Sequence, residues 1–127
     1  MSTAQEAVKA TDALDISDPG AGGTITSRGC VGSRCVLTSA TAESRTLGAP
    51  QRENETLLIT AKDQAAGDIT LTITPTGLMD ASGESGALAT LTTVVFSADG
   101  ESLILRAINV GGTNTWVLQT AMGAALS

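Results

Sequence analysis

The stretch Asp68–Thr74, DITLTIT, alternates without a break. Ile69, Leu71 and Ile73 fall on one face and Thr70, Thr72 and Thr74 on the other. A period of two cannot be wound into a helix, and it marks a strand buried on one side only. Around it lie similar short runs: Thr24–Thr26, Cys35–Thr38, Ser44–Leu47, Thr56–Ala61, Leu88–Phe96, Ser102–Ile108 and Thr115–Thr120. Turn chemistry stands between them: Gly48-Ala49-Pro50, Pro75-Thr76-Gly77, a polar loop over Met79–Gly86, Ser97-Ala98-Asp99-Gly100 and Val110–Asn114. Strands recurring at roughly 8–12-residue spacing predict an all-β fold, a small antiparallel β-barrel or sandwich. Asp99-Gly100 between two apolar runs predicts a hairpin. In the strand that follows it, Leu103, Leu105 and Ala107 share one face and Ile104, Arg106 and Ile108 the other. With Val117, the second set gives the last strands two apolar faces, which predicts either a second partner for the sheet and hence an oligomer, or a closed sandwich with internal curvature.

A chain of 127 residues holds one core of ordinary size. The first 23 residues differ from the rest: polar, Ala-rich and acidic, ending in Asp18-Pro19-Gly20 and a glycine cluster. They read either as a disordered tail with no role or as an extended N-terminal arm (1–23) that docks on a neighbouring subunit or a larger scaffold, with Ala7, Leu14, Ile16 and Ile25 as its apolar contacts. The β-domain then covers 24–127. The opening MSTAQEAVKATDALDIS has no basic n-region or apolar core, so synthesis in a cytoplasm is expected, and no apolar run is long enough to cross a bilayer as a helix. The tail AMGAALS either frays or covers an open end of the barrel.

The side-chain inventory limits the chemistry. There is no His, one Trp, one Phe and no Tyr. Ser-His-Asp and Cys-His nucleophiles therefore cannot be assembled, nor His-ligated zinc. A net charge of −6 and the lack of stacking aromatics oppose a nucleic-acid partner. The pairs Asp80 with Glu84 and Asp99 with Glu101 sit in turns, where carboxylates serve backbone geometry. Asp12, Asp15 and Asp18 are spaced by three and lack the pattern of a calcium loop, so they read as a solvated acidic arm. No catalytic residue, cofactor or metal is expected. Cys30 and Cys35, in CVGSRC, are read either as two reduced thiols or as a local disulfide closing little chain. Trp116, the one large aromatic, is a core or interface anchor on the last strand; the rival reading makes it a sugar platform. Leu103, Leu105 and Val117 join it as core and subunit-interface candidates. Arg28, Arg34, Arg45 and Arg52 gather basic charge in the first half, either as solvated side chains or as a means of steering an acidic partner.

Four pieces together resemble small β-structured proteins of tailed-bacteriophage virions: Thr46–Pro50 (TLGAP), the Thr-alternating strand Asp68–Thr74, Phe96–Gly111 (FSADGESLILRAINVG) and the closing strand with Trp116–Leu118. The resemblance is to capsid decoration (cement) and head-fibre base proteins, and it spans about residues 24–121. Those sequences often carry a Gly before the second strong strand. Here Gln51–Glu55 has none, and Asn54 supplies the left-handed turn instead. The resemblance implies a homotrimeric β-barrel or tulip-like (jelly-roll-like) domain seated on a phage head at three-fold or pseudo-three-fold positions, with the major capsid protein and itself as partners and the virion surface as its place. The function expected is mechanical: bridging of neighbouring capsid subunits. The alternative is a receptor- or glycan-binding module of a head or tail fibre.

Overall fold

The computed structural model describes residues 14–64, 67–74, 78–80 and 89–127. Twelve strands form in chain order: β1 (Asp15–Ile16), β2 (Thr24–Ile25), β3 (Ser33–Ser39), β4 (Glu43–Leu47), β5 (Thr56–Gln64), β6 (Ile69–Ile73), β7 (Leu78–Asp80), β8 (Ala89–Leu91), β9 (Thr93–Phe96), β10 (Ser102–Val110), β11 (Thr113–Met122) and β12 (Ala125–Leu126). They build two sheets and no helix among the described residues. The larger sheet runs β1-β3-β5-β10-β11-β7-β8 and the smaller β12-β9-β6-β4-β2. The fold is all-β and sandwich-like, as its alternating strands predict; neither sheet closes into a barrel.

The strand directions depart from the expected antiparallel arrangement. Five of the ten pairings are parallel: β1 with β3, β3 with β5, β2 with β4, β4 with β6, and β7 with β11. The first six strands explain why. Odd-numbered strands lie in the large sheet and even-numbered strands in the small one. The chain thus winds as a coil, laying one strand on each sheet per turn. Parallel neighbours need a long crossover, and here the crossover is a strand of the facing sheet. The same logic corrects the hairpin expected at Asp99-Gly100. The turn forms, with Gly100 at φ 87°, but β9 pairs with β6 and β12 while β10 pairs with β5 and β11. Gly100 N–H donates to the Ala61 carbonyl at 2.8 Å, and Ala61 N–H to the Glu101 carbonyl at 2.9 Å. The turn is thereby tied to β5, and the chain changes sheet. A tight hairpin forms instead at β10–β11, closed by Gly111 and Gly112 at φ 58° and 91°. Two positive values in succession are those of a type I′ turn.

The core lies between the sheets. Ile69, Leu71 and Ile73 are buried, and so are Val94, Phe96, Leu103, Leu105 and Ala107. One bulge tunes the large sheet: Ile104 faces Thr120 and Leu105 faces Leu118, so two residues of β10 oppose three of β11. The extra residue turns Leu118 and Ala121 to the same side, where both pack on the core. Two further differences are local. Part of the loop expected over Met79–Gly86 is β7, and the tail is not frayed: β12 pairs with β9. Pro75-Thr76-Gly77 and residues 81–88 lie outside the described residues.

The expected boundary at residue 23 also moves. Residues 14–23 belong to the sandwich: β1 pairs with β3, Ile16 packs on the core, and Gly22 N–H donates to the Ser44 carbonyl at 2.8 Å. Short apolar residues suffice here because β3 and β4 offer both backbone partners and a buried cation, described next. Residues 1–13 of the expected arm lie outside the described residues.

Candidate functional site

Two features of the described residues stand out: a buried ionic clasp and an apolar outer face.

The clasp begins with Asp18-Pro19-Gly20. The short Asp side chain turns back on its own backbone, and Oδ1 accepts the Gly20 N–H at 3.0 Å. This aims the carboxylate at β3 and β4. Arg45 lies on the inward phase of β4, two residues before the buried Leu47, and is only 1% exposed. Its Nε donates to Asp18 Oδ1 at 2.8 Å and its Nη2 to Oδ2 at 3.2 Å. Nη2 also donates to the Thr38 carbonyl at 2.9 Å. Nη1 donates to the Ser44 carbonyl at 3.1 Å and lies 3.0 Å from Glu43 Oε1. All five guanidinium hydrogens are thus used, which is what a buried Arg requires. Asp18 Oδ2 accepts the Thr38 N–H as well, at 3.0 Å. Both backbone groups of Thr38 are occupied, and the part of the β3 edge that β1 leaves uncovered is closed to a further strand.

Burial would push the Asp18 carboxyl up, but the hydrogen bonds from Arg45, Thr38 and Gly20 and the Arg45 charge hold it below its ordinary value. Arg45 is held above its own, first by the bond to Asp18. Nearby Cys35 is pushed up to about 11, mainly by burial and further by the Asp18 charge. Both cysteines are free: Cys35 is in the core, and Cys30 Sγ lies 3.3 Å from Ser33 Oγ in the preceding turn. No disulfide joins them, because the alternation of β3 sends Cys35 inward.

The outer face of the large sheet is the second feature. Val36 of β3 is 46% exposed. Leu58, Ile104, Ile108 and Val117 are half-buried, and they point away from the core residues beside them. The register sets Leu58 against Ile104, and it sets Arg106 between Thr56 and Val117. A depression of about 200 Å³ opens there, lined by Gly32, Ser33, Arg34, Thr56, Leu57, Leu58 and Ile104. A hollow of about 410 Å³ adjoins it at Asp15, Ile16, Asp18, Arg34 and Val36. Both share Arg34, which pairs with Asp15.

Compared with known protein families, the chain matches no family model, and no curated protein matches it either.

Of the residues proposed from sequence as contacts, Val117 alone faces outward on this surface. Ile25, Leu103, Leu105 and Trp116 are fully buried in the chain's own core. They are not available as scaffold or subunit contacts, because each occupies the inward phase of its strand and the second sheet covers it. Trp116 is 1% exposed, and its Nε1 donates to the Gly48 carbonyl at 2.9 Å, so it offers no face to a sugar. Leu14 uses its carbonyl to accept the Arg34 N–H, and Ile16 is half-buried against the core. Ala7 lies outside the described residues. The clasp escapes a reading by composition, which makes Asp18 and Arg45 solvated charges. Two signals mark it: the Asp-Pro-Gly turn and the phase that Arg45 shares with Leu47. Among the described residues, no three His, Cys, Asp or Glu side chains gather as a metal site, and no helix is long and apolar enough to cross a membrane.

Proposed function

We propose that this chain is a capsid decoration (cement) protein of a tailed phage, which assembles as a homotrimer and braces the outer surface of the head by bridging major capsid subunits. The phage assignment rests on the resemblance carried by Thr46–Pro50, Asp68–Thr74, Phe96–Gly111 and Trp116–Leu118. The observation that supports association is the outer face of the large sheet. Val36, Leu58, Ile104, Ile108 and Val117 crowd one side of a sheet whose other side already forms the core. Such a surface gains free energy by being covered. Three linked copies turn modest single-site affinities into lasting attachment.

The experiment is direct. The purified chain is mixed with shells assembled from the major capsid protein encoded in the same genome, sedimented, and imaged by electron cryo-microscopy. Stoichiometric density on the shell exterior supports the reading. A chain that stays in the supernatant overturns it. Sedimentation at micromolar concentration tests the trimer, which Ile104→Glu converts to a folded monomer. A wild-type chain that is monomeric both free and on the particle refutes this part.

A further inference from the structure

The charges of this acidic chain are sorted along the sandwich, and the sorting defines a docking end. The parallel register of β3 with β5 and the antiparallel register of β10 with β5 bring the loop before β3, the loop before β5 and the β10–β11 turn to one end. Arg28, Arg34, Arg52 and Arg106 all lie at or beside this end, and all four are exposed. The two loops touch: a Cβ placed on Gly29 would sit 3.7 Å from the Arg52 side chain. Val31 projects from the first loop at 68% exposure, and Val110 from the hairpin at 40%. Two exposed carboxylates accompany the arginines. Asp15 is paired with Arg34, and Glu53 accepts the Asn109 N–H at 2.9 Å. Among the described residues, no carboxylate pairs with Arg28, Arg52 or Arg106. The opposite end carries Asp68, Asp99 and Glu101 against Lys62. Arg45, the remaining arginine, is buried in the clasp and plays no part.

We infer that this loop end is the face that docks, and that its partner is an acidic protein surface. The inference rests on the proposed decoration role and names the chemistry of the capsid face that receives the chain. Arg28 and Arg52 present planar forks that match carboxylates two bonds at a time; Arg34 and Arg106, on the outer face of the large sheet, belong to the face proposed for self-association. Val31 and Val110 enter apolar recesses between those carboxylates. Arg28 and Arg52, set among Asp15, Glu53 and the already paired Arg34 on a chain of net charge −6, favour carboxylates set in a protein surface over the continuous charge of a phosphate backbone.

The test uses the full chain and the same assembled shells. Arg28→Glu/Arg52→Glu weakens binding at least 30-fold, and Val31→Asp at least fivefold, with melting temperatures unchanged. Raising NaCl from 50 to 500 mM weakens the wild type at least tenfold, because exposed ion pairs are screened over a few ångströms. Asp68→Lys, at the far end, binds as the wild type. Shells bound equally well by the double Arg variant overturn the inference and leave the decoration role standing. Failure of the wild type to bind overturns both. A 30-base-pair DNA duplex retarded by the wild type and not by the double variant also overturns the inference, in favour of a nucleic-acid partner.

Discussion

Replacing Asp18 by Ala removes the centre of the clasp and leaves Arg45 in place. The guanidinium, 1% exposed in the native chain, loses two of its five acceptor contacts. Each charge-assisted bond of this kind contributes about 1.5 kcal/mol or more when its partner is removed. The Thr38 and Gly20 amides also lose their acceptor, but both sit near the surface, where water replaces it at little cost. Glu43 and the Thr38 and Ser44 carbonyls keep the cation from being fully stranded. The loss is therefore about 3 kcal/mol, at the lower end of the range for breaking a buried pair. In a domain of this size that lowers the melting temperature by roughly 10 °C. Circular dichroism melts and urea titration at pH 7 read the effect directly. The double variant Asp18→Ala/Arg45→Met recovers part of the loss, because the buried charge leaves with its partner. An Asp18→Ala melting temperature within about 2 °C of the wild type would refute the reasoning, since an exposed ion pair contributes about that little.

Three further outcomes follow from the same structure. Trp116→Ala costs about 3–5 kcal/mol from lost transfer energy and the cavity, and the native Trp116 emission is blue-shifted and resistant to iodide quenching; a red, quenchable emission contradicts the buried position. The Asp18 carboxyl is held below its unfolded value, so its contribution is complete above about pH 4 and disappears as pH falls through the lower folded value; Asp18→Asn flattens that acid limb in pH-dependent melts, and an unchanged limb refutes the assignment. With a thiol reagent at pH 8, Cys30 reacts in the folded chain while Cys35, buried and with its pKa pushed up to about 11, reacts only on unfolding; equal rates for the two thiols contradict the structure.

What the sequence discloses here is phase more than partnership. Ile69, Leu71 and Ile73 alternate so plainly that their burial is readable before any coordinates, and the opposite facing of Leu105 and Ile104 is readable in the same way. Asn54, read as a substitute for glycine, does adopt the left-handed conformation, at φ 70°. Partnership is another matter. Asp99-Gly100 is a sound turn signal, but a tight turn says only that the chain reverses, not which sheet receives it. No local pattern distinguishes β4 as a neighbour of β3 from β4 as a strand of the facing sheet, because both require the same alternation. Arg45 illustrates the limit on the site. Its charge argues for the surface and its phase for the interior, and only the arrival of Asp18, 27 positions away, decides between them.

The winding of the first six strands constrains how the molecule comes together. A hairpin forms from local chain and needs no other strand. β3 and β5 become neighbours only when β4 has crossed to the opposite sheet and returned, so neither sheet has an independent early stage. Each turn of the coil lays a new strand against the preceding one on both sheets, and loop closure at every step stays short. The strands of the coil thus lie in the order in which a ribosome releases them. The large sheet is then extended by a far longer closure, with Ser102 coming to rest against Thr60. That step sets the contact order and slows the folding of the whole domain. Until it happens, β5, the last strand that the coil lays on the large sheet, has an open edge, and it is β10 that seals it.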